Sequence, residues 1–237
     1  MADSAENERI GRVREVFEDW AARGRGDGME ESHVPFVRPV FERLPLPPDG
    51  TYLDVGCGTG YTVRWAAAAA PEGRAVGLDV SPRMIARARE LAAGLENVSF
   101  HVAAFPGDHP LPPASCDVIF SMEVFYYLPN LSAGLAEVRR LLRPGGVFAC
   151  QVDFYEENRA SHGWPDDMGV EMTLLDEAGW RAAFESSGLA VDEQFRVRLS
   201  PEEASAPWQA SEGSLVTLGR RPAGERGDAE TPPGSVP

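Results

Sequence analysis

From about Ala5 to Arg23 apolar residues recur at helical spacing, with Ile10, Val13, Val16, Phe17 and Trp20 on one face. Gly24-Arg25-Gly26-Asp27-Gly28 reads as a break before Met29-Glu30-Glu31-Ser32-His33. Val34, Val37, Val40 and Phe41 then predict a second helix, ended by the Pro45 to Pro48 cluster. Beyond it the period alternates between strand and helix. Tyr52 to Val55 reads as a buried strand running through Gly56-Cys57-Gly58-Thr59-Gly60 into a helix that reaches about Ala70. Ala75 to Asp79 is a second strand, and Ser81 with Pro82 makes a cap and first turn for a helix faced by Met84, Ile85, Ala88, Leu91 and Ala92. Val98 to Val102 and Val118 to Phe120 follow as strands. A helix bearing Leu131, Leu135, Val138, Leu141 and Leu142 stops at Arg143-Pro144-Gly145-Gly146 before a fifth strand, Val147 to Val152. An irregular stretch covers Glu156 to Leu174. Glu177 to Ser187 predicts a helix ended by Gly188, with strands near Val191 to Leu199 and Ser214 to Arg220. This order predicts an α/β fold, a doubly wound and mostly parallel sheet with helices on both faces. Residues 1–48 read as a helical attachment and 49–221 as the main domain. Residues 222–237, rich in proline, glycine and charge, read as a disordered tail.

Composition narrows the function. A formal net charge of -15 over 237 residues argues against a nucleic-acid surface, which needs a basic stripe. All 22 basic residues are arginine, which fits a GC-rich genome first and a salt-adapted proteome second. No apolar run is long enough to span a bilayer, and the acidic N-terminus is unlike a signal peptide, so no membrane contact and a cytoplasmic location are expected. Cys57, Cys116 and Cys150, and His33, His101, His109 and His162, lack ligand spacing, so buried free thiols and no structural metal are expected.

The chemistry concentrates where the first strand becomes a helix. Glycines at 56, 58 and 60 let the backbone approach a ligand, and the helix N-terminus offers unpaired amides. Asp79 ends the second strand, positioned to grip both hydroxyls of a ribose. A dinucleotide fingerprint would need a glycine where Tyr61 stands, which speaks against a nicotinamide-dependent oxidoreductase. Leu53 to Gly60, Gly77-Leu78-Asp79-Val80-Ser81 and Leu141-Leu142-Arg143-Pro144-Gly145-Gly146 together resemble three motifs of the class I, Rossmann-like, S-adenosylmethionine-dependent methyltransferases. The resemblance is close over Thr51 to Val152. It implies a seven-stranded sheet of order 3-2-1-4-5-7-6 with strand seven antiparallel, under an N-terminal helical lid. It implies that Asp54 and the loop carrying Gly56, Cys57, Gly58 and Gly60 hold the methionine part of S-adenosylmethionine. Asp79 would hold the ribose, and Val80 and Met84 the adenine, while Ser121, Met122 and Glu123 would line the methyl-transfer pocket.

One stretch departs from that family. Many members carry an acidic residue after strand three that binds the adenine amino group; here Ala103-Ala104-Phe105-Pro106-Gly107-Asp108 stands instead. Ala104 and Phe105 are then expected at the adenine rim, with Asp108 able to substitute only if the loop folds back. Methyl transfer from a sulfonium is an in-line displacement whose hard chemistry belongs to the cofactor, so no invariant triad is expected. Acceptor-side candidates lie in three places: His33; Glu123, Phe125, Tyr126 and Tyr127; and the loop Asp153, Tyr155, Glu156, Asn158, His162, Trp164 and Asp166. Of these, Glu123, Tyr127 and His33 are the catalytic candidates. The small insertion space favours a small-molecule acceptor. A cofactor-binding module without transfer activity is the alternative from another class. A nucleic-acid methyltransferase is disfavoured by charge and by Ser121-Met122-Glu123-Val124 after strand four.

Overall fold

The computed structural model describes residues 2–224. Seven strands form one sheet in the order β3-β2-β1-β4-β5-β7-β6. They are β1 Thr51–Val55, β2 Arg74–Asp79, β3 Val98–Val102, β4 Cys116–Met122, β5 Leu142–Val152, β6 Ala190–Val197 and β7 Ser214–Arg220. The first five run parallel, and β7 is antiparallel to both β5 and β6. Between strands lie α3 Tyr61–Ala69, α4 Pro82–Leu91, α5 Leu131–Leu141, α6 Trp164–Met168, α7 Glu177–Ser186 and α8 Pro207–Ser211; α1 Ala2–Ala22 and α2 Arg25–Phe41 precede the sheet.

Successive strand residues point to opposite faces, so each central strand feeds two cores. Leu53, Val55, Ile119 and Phe148 pack toward α5 and α7, where Leu135, Val138, Trp180 and Phe184 are fully buried. Tyr52, Val118, Phe120 and Ala149 pack toward α2, α3 and α4 through Val37, Val40, Val63, Ala66 and Ile85. Caps fix where the helices begin: the Ser81 hydroxyl accepts from Met84 N at 3.1 Å, and Asn130 and Asp176 do the same for α5 and α7.

Several boundaries differ from those read in the sequence. α2 begins directly after Gly24, so the break between α1 and α2 is the two-residue turn Arg23-Gly24, with φ 72 at Gly24. Pro35 and Pro39 sit inside α2, four residues apart and on its exposed side, while Phe36, Val37 and Val40 are buried opposite. Burial of that face outweighs the lost amide bonds. Arg143-Pro144-Gly145-Gly146 lies within β5 as a bulge: Cys116 pairs with Leu142 and Val118 with Val147, leaving Asp117 opposite four residues. The stretch expected to be irregular contains α6 and a 3-10 turn at Arg159–Ser161. Pro222 to Gly224 has no helix or strand, and the rest of the predicted tail lies outside the described residues.

Because the chain leaves β1 outward through β2 and β3 and returns to β4 beside β1, the strand order reverses at the β1/β4 carboxyl ends. Ligands of doubly wound sheets bind at such a crevice. No described helix is long and apolar enough to cross a membrane.

Candidate active site

A cavity of about 440 Å³ opens at that crevice, within the size range of small-molecule sites. One end is built from the β1–α3 and β2–α4 turns. Gly56, Gly58 and Gly60 all hold positive φ, at 76, 50 and 75, but not for one shared reason. A Cβ at Gly56 would lie 2.1 Å from Val124 Cγ2, and one at Gly60 would lie 2.6 Å from the Phe100 ring, so these two serve close packing. A Cβ at Gly58 would meet nothing within 4 Å, and Gly58 lines the cavity. Gly60 and Ser121 do not line it. The Ser121 hydroxyl instead donates to the Val55 carbonyl at 2.8 Å, which ties β4 to β1.

Two carboxyls anchor this end. Asp54 is buried and accepts a short hydrogen bond from the Thr62 hydroxyl. Burial raises its pKa to about 7, opposed by that bond and aided by the nearby Asp79 charge. Asp79 accepts from Gly58 N at 2.9 Å with one oxygen and from Ser81 N at 2.8 Å with the other; burial takes it to about 6 against those amides. Cys57, Val80, Met84, Ala104 and Phe105 also line the cavity. The Phe105 ring stacks on His109 at 6.0 Å, and Asp108 stays outside the cavity, so no carboxyl from this loop lines the rim.

The other end holds the acceptor-side candidates. Glu123 has φ 61, a left-handed conformation that few residues with a side chain adopt and that clusters at functional sites. Its carboxyl accepts from the Tyr126 hydroxyl at 2.6 Å and from Asp153 N. Burial and the Asp153 charge push it well above the usual carboxylate range. Tyr127 lines the cavity and directs its hydroxyl at Met168 Sδ, 3.6 Å away. His33 lines it too, with its pKa driven down to about 4 by burial, which keeps the ring neutral near pH 7.

The loop after β5 divides. Asp153 and Trp164 reach the cavity. Tyr155 points into the core and donates to the carbonyls of Glu212 and Gly213, Asn158 donates to the Asp153 carbonyl, and His162 pairs with the Glu156 carbonyl. Phe125 is core, between Phe105 and Phe148. Glu156 and Asp166 also lie away from the cavity lining.

Sequence reasoning missed most of the wall facing these groups. Phe17 and Trp20 come from α1, Phe36 from α2, and Trp208 from α8. Trp208 stacks on Phe36 at 6.1 Å and meets Trp164 edge-on at 6.3 Å. The available signal was Pro207 at a first helical position ahead of a tryptophan, between the last two strands.

Two acidic side chains hold α1 and α2 against this site. Glu18 accepts from the Ser81 hydroxyl at 2.5 Å and from Arg83 N at 2.9 Å. Glu30 accepts from the Thr59 hydroxyl and, through both of its oxygens, from Arg64 Nη2, each at 3.0 Å, while Arg64 Nη1 donates to the Thr59 carbonyl. Among the described residues no group of three or more His, Cys, Asp or Glu is arranged to hold a metal ion.

Comparison with known proteins agrees with this architecture. A family model described as a methyltransferase domain matches residues 53–150. A trans-aconitate 2-methyltransferase of Azoarcus sp. (strain BH72) is 35% identical over 49% of this chain and 44% of its own length. An arsenite methyltransferase of Halobacterium salinarum is 36% identical over 58% of this chain and 39% of its own. The chain spans about half the length of the curated relatives it matches. Among solved structures, the putative methyltransferase in complex with the Haloferax volcanii Trm112 methyltransferase activator superposes with a TM-score of 0.77 at 36% identity, covering 87% of this chain and 97% of that one. An S-adenosylmethionine-dependent methyltransferase of Aquifex aeolicus, 20% identical, shares the fold at a TM-score of 0.65, over 84% of this chain and 97% of that one. With its motifs, its sheet order and a relative matched over nearly its whole length, the chain belongs to the class I, S-adenosylmethionine-dependent methyltransferases.

Proposed function

We propose that the protein transfers a methyl group from S-adenosylmethionine to a small-molecule acceptor by in-line displacement. The observation that carries this reading is the continuity of one cavity, which takes in Asp54, Gly58 and Asp79 at one end and Tyr127, Trp164 and Trp208 at the other. The first end fits the cofactor. The bare backbone at Gly58 leaves room for the methionine part, and the buried Asp54 carboxyl suits its ammonium. Each Asp79 oxygen holds one amide and keeps a lone-pair site for a ribose hydroxyl. Val80, Met84, Ala104 and Phe105 offer the adenine an apolar slot, with packing in place of the usual carboxylate.

When bound, the cofactor supplies an electrophilic methyl group on a sulfonium. The chain's own part is to align the acceptor and exclude water, which supplies much of the rate in such displacements. The helices α1 and α2 form the lid that closes this space, held by Glu18 and Glu30. Glu123, Tyr127 and His33 border the acceptor, and the neutral His33 ring acts there as a hydrogen-bonding wall and not as a cation.

Calorimetric titration with S-adenosylmethionine and, separately, with NADH tests the reading. Micromolar binding of the first and silence for the second is expected, and NADH binding alone would overturn it. A module that binds the cofactor without transfer would bind it equally and give no methylated product from any acceptor panel, by mass spectrometry.

A second reading adds a protein activator, as the Haloferax volcanii neighbour has. It is favoured by the open edge at β3 and by Leu91, Leu95 and Val102, exposed apolar side chains on the α4–β3 segment. Gel filtration with a purified Trm112-type protein checks it: a complex that Val102→Glu dissolves is expected, and two separate peaks for the wild type would sink it.

A further inference from the structure

The cavity is acidic, and Arg64 offsets one of its carboxyls, that of Glu30, from outside the lining. Six carboxyl side chains line it, those of Glu30, Asp54, Asp79, Glu123, Asp153 and Asp167. No arginine does, the chain has no lysine, and His33 is kept neutral. An anionic acceptor entering here would lose its hydration and find no cation to replace it.

The acids are unequally occupied. Asp79 holds the amides of Gly58 and Ser81, Asp54 holds Thr62, and Glu30 holds Thr59 and Arg64. At the acceptor end Glu123 holds Tyr126 and the Asp153 amide. Asp153 is different: only 5% exposed, it lines the cavity, and although the Ser214 hydroxyl supports its carboxyl, its Oδ1 has no hydrogen-bond partner. A buried acceptor left unsatisfied destabilises the site, and a ligand donor would recover that loss. The wall around this pole is aromatic, from Phe17, Trp20, Trp164 and Trp208, and such faces favour a cation or an aromatic ring.

We propose that the acceptor is a neutral or cationic molecule, amine or hydroxyl in type, whose N–H or O–H donates to Asp153 within this aromatic wall, and that carboxylate acceptors are excluded. The proposal rests on the reading of this cavity as the site of methyl transfer, and narrows its substrate. For an ammonium acceptor, the proton that must leave nitrogen before its lone pair is free passes to the Asp153 carboxylate. That yields a neutral amine and a neutral acid, with no other reactant needed. Di- and tricarboxylates, which need arginine forks, are poor candidates for this chain.

The test uses three probes that share a phenethyl group, on the full chain: phenethylamine, 2-phenylethanol and 3-phenylpropionate, followed by ligand-observed NMR with and without S-adenosylhomocysteine. The amine is expected to bind at least about tenfold tighter than the propionate, with the alcohol between them. Asp153→Asn should bring the amine within about threefold of the propionate, and leave the affinity for S-adenosylhomocysteine within about twofold. Glu123→Gln should weaken the same preference, so the result does not depend on one variant folding. Equal or tighter binding of the propionate overturns the proposal, as does silence from all three probes. A loss of S-adenosylhomocysteine affinity in Asp153→Asn as large as the loss for the amine also overturns it, by assigning that carboxyl to the cofactor. If S-adenosylhomocysteine fails to bind while the amine preference stands, the methyl-transfer reading fails and the charge assignment survives.

Discussion

The Asp54 carboxyl, raised by burial to about 7, makes stability depend on pH in a definite direction. An aspartate in the unfolded chain titrates near 3.9. Between those values the folded protein binds the proton more strongly, so the stabilisation is complete at low pH and is lost as pH rises toward 7. Asp54→Asn, which stays neutral, should therefore gain in melting temperature relative to the wild type between pH 5 and pH 8, by about 5 °C. Scanning calorimetry at both values checks this, and parallel curves would show that Asp54 is not raised. The glycines separate in the same assay. Gly56→Ala drives a methyl into Val124 and should unfold the domain or lower its melting temperature sharply. Gly58→Ala meets only left-handed strain of about 1–2 kcal/mol. It should lose S-adenosylmethionine affinity, by about tenfold or more, out of proportion to its stability. At this scale the cavity end proposed for the cofactor was legible in the sequence because its lining residues are contiguous, from Asp54 to Thr59 and at Asp79 and Val80. Gly60 and Ser121 sit in the same motifs yet turn to packing and to a backbone bond. Nothing in a one-dimensional spacing separates a glycine bare toward a ligand from one pressed on a phenylalanine.

Among the elements, the strands and their helices follow from period and caps, so Tyr52 to Val55, Ala75 to Asp79 and the Ser81 cap stand as read. The β-sheet order itself came from family resemblance, and the register agrees with it. Reading failed where tertiary contact overrides local preference. Gly26 looked like part of a break, but it lies in α2, where a Cβ would be 3.0 Å from Met84 Sδ and 3.2 Å from Thr59 Cγ2. Its glycine is there for close approach of α2 to α4 and to the β1–α3 turn. The aromatic wall was hidden for a related reason: Phe17, Phe36 and Trp208 belong to three helices far apart in the chain. Among the described residues α1 has no buried side chain, whereas Phe36, Val37 and Val40 anchor the end of α2 in the core, so α1 and the first turns of α2 should open more readily than the sheet. Glu30→Gln, which weakens the Thr59 and Arg64 bonds, should speed hydrogen exchange in α2 and shorten the residence of S-adenosylmethionine by about tenfold, with sheet protection unchanged. Exchange that rises equally in the sheet would mean that Glu30 supports the whole fold and not the lid.

Across the whole molecule charge is the strongest bias, because 37 acidic residues face 22 arginines. Many arginines are already paired locally, as in Arg12–Glu8, Arg23–Asp19 and Arg87–Glu90, all well exposed. Such pairs contribute little, and salt weakens them further. The unpaired acidic excess repels itself, and compaction brings those charges closer together. The screening length falls from about 10 Å at 0.1 M salt to about 3 Å at 1 M, shorter than most separations between surface carboxylates but not than a contact ion pair. Salt thus removes more repulsion than attraction here. The melting temperature should rise by about 5 °C or more between 0.1 and 2 M potassium chloride, where a balanced surface would stay flat. The same experiment separates the two accounts of the all-arginine composition. Base composition alone explains why lysine is missing and leaves only the screening response, which is nearly complete by about 1 M salt. Adaptation to a saline interior requires the excess itself, since carboxylates hold water at the surface when ions compete for it. A curve that levels off near 1 M would leave the charge as a consequence of codon usage; one still rising toward 2 M would make the acidic surface a working part of the fold.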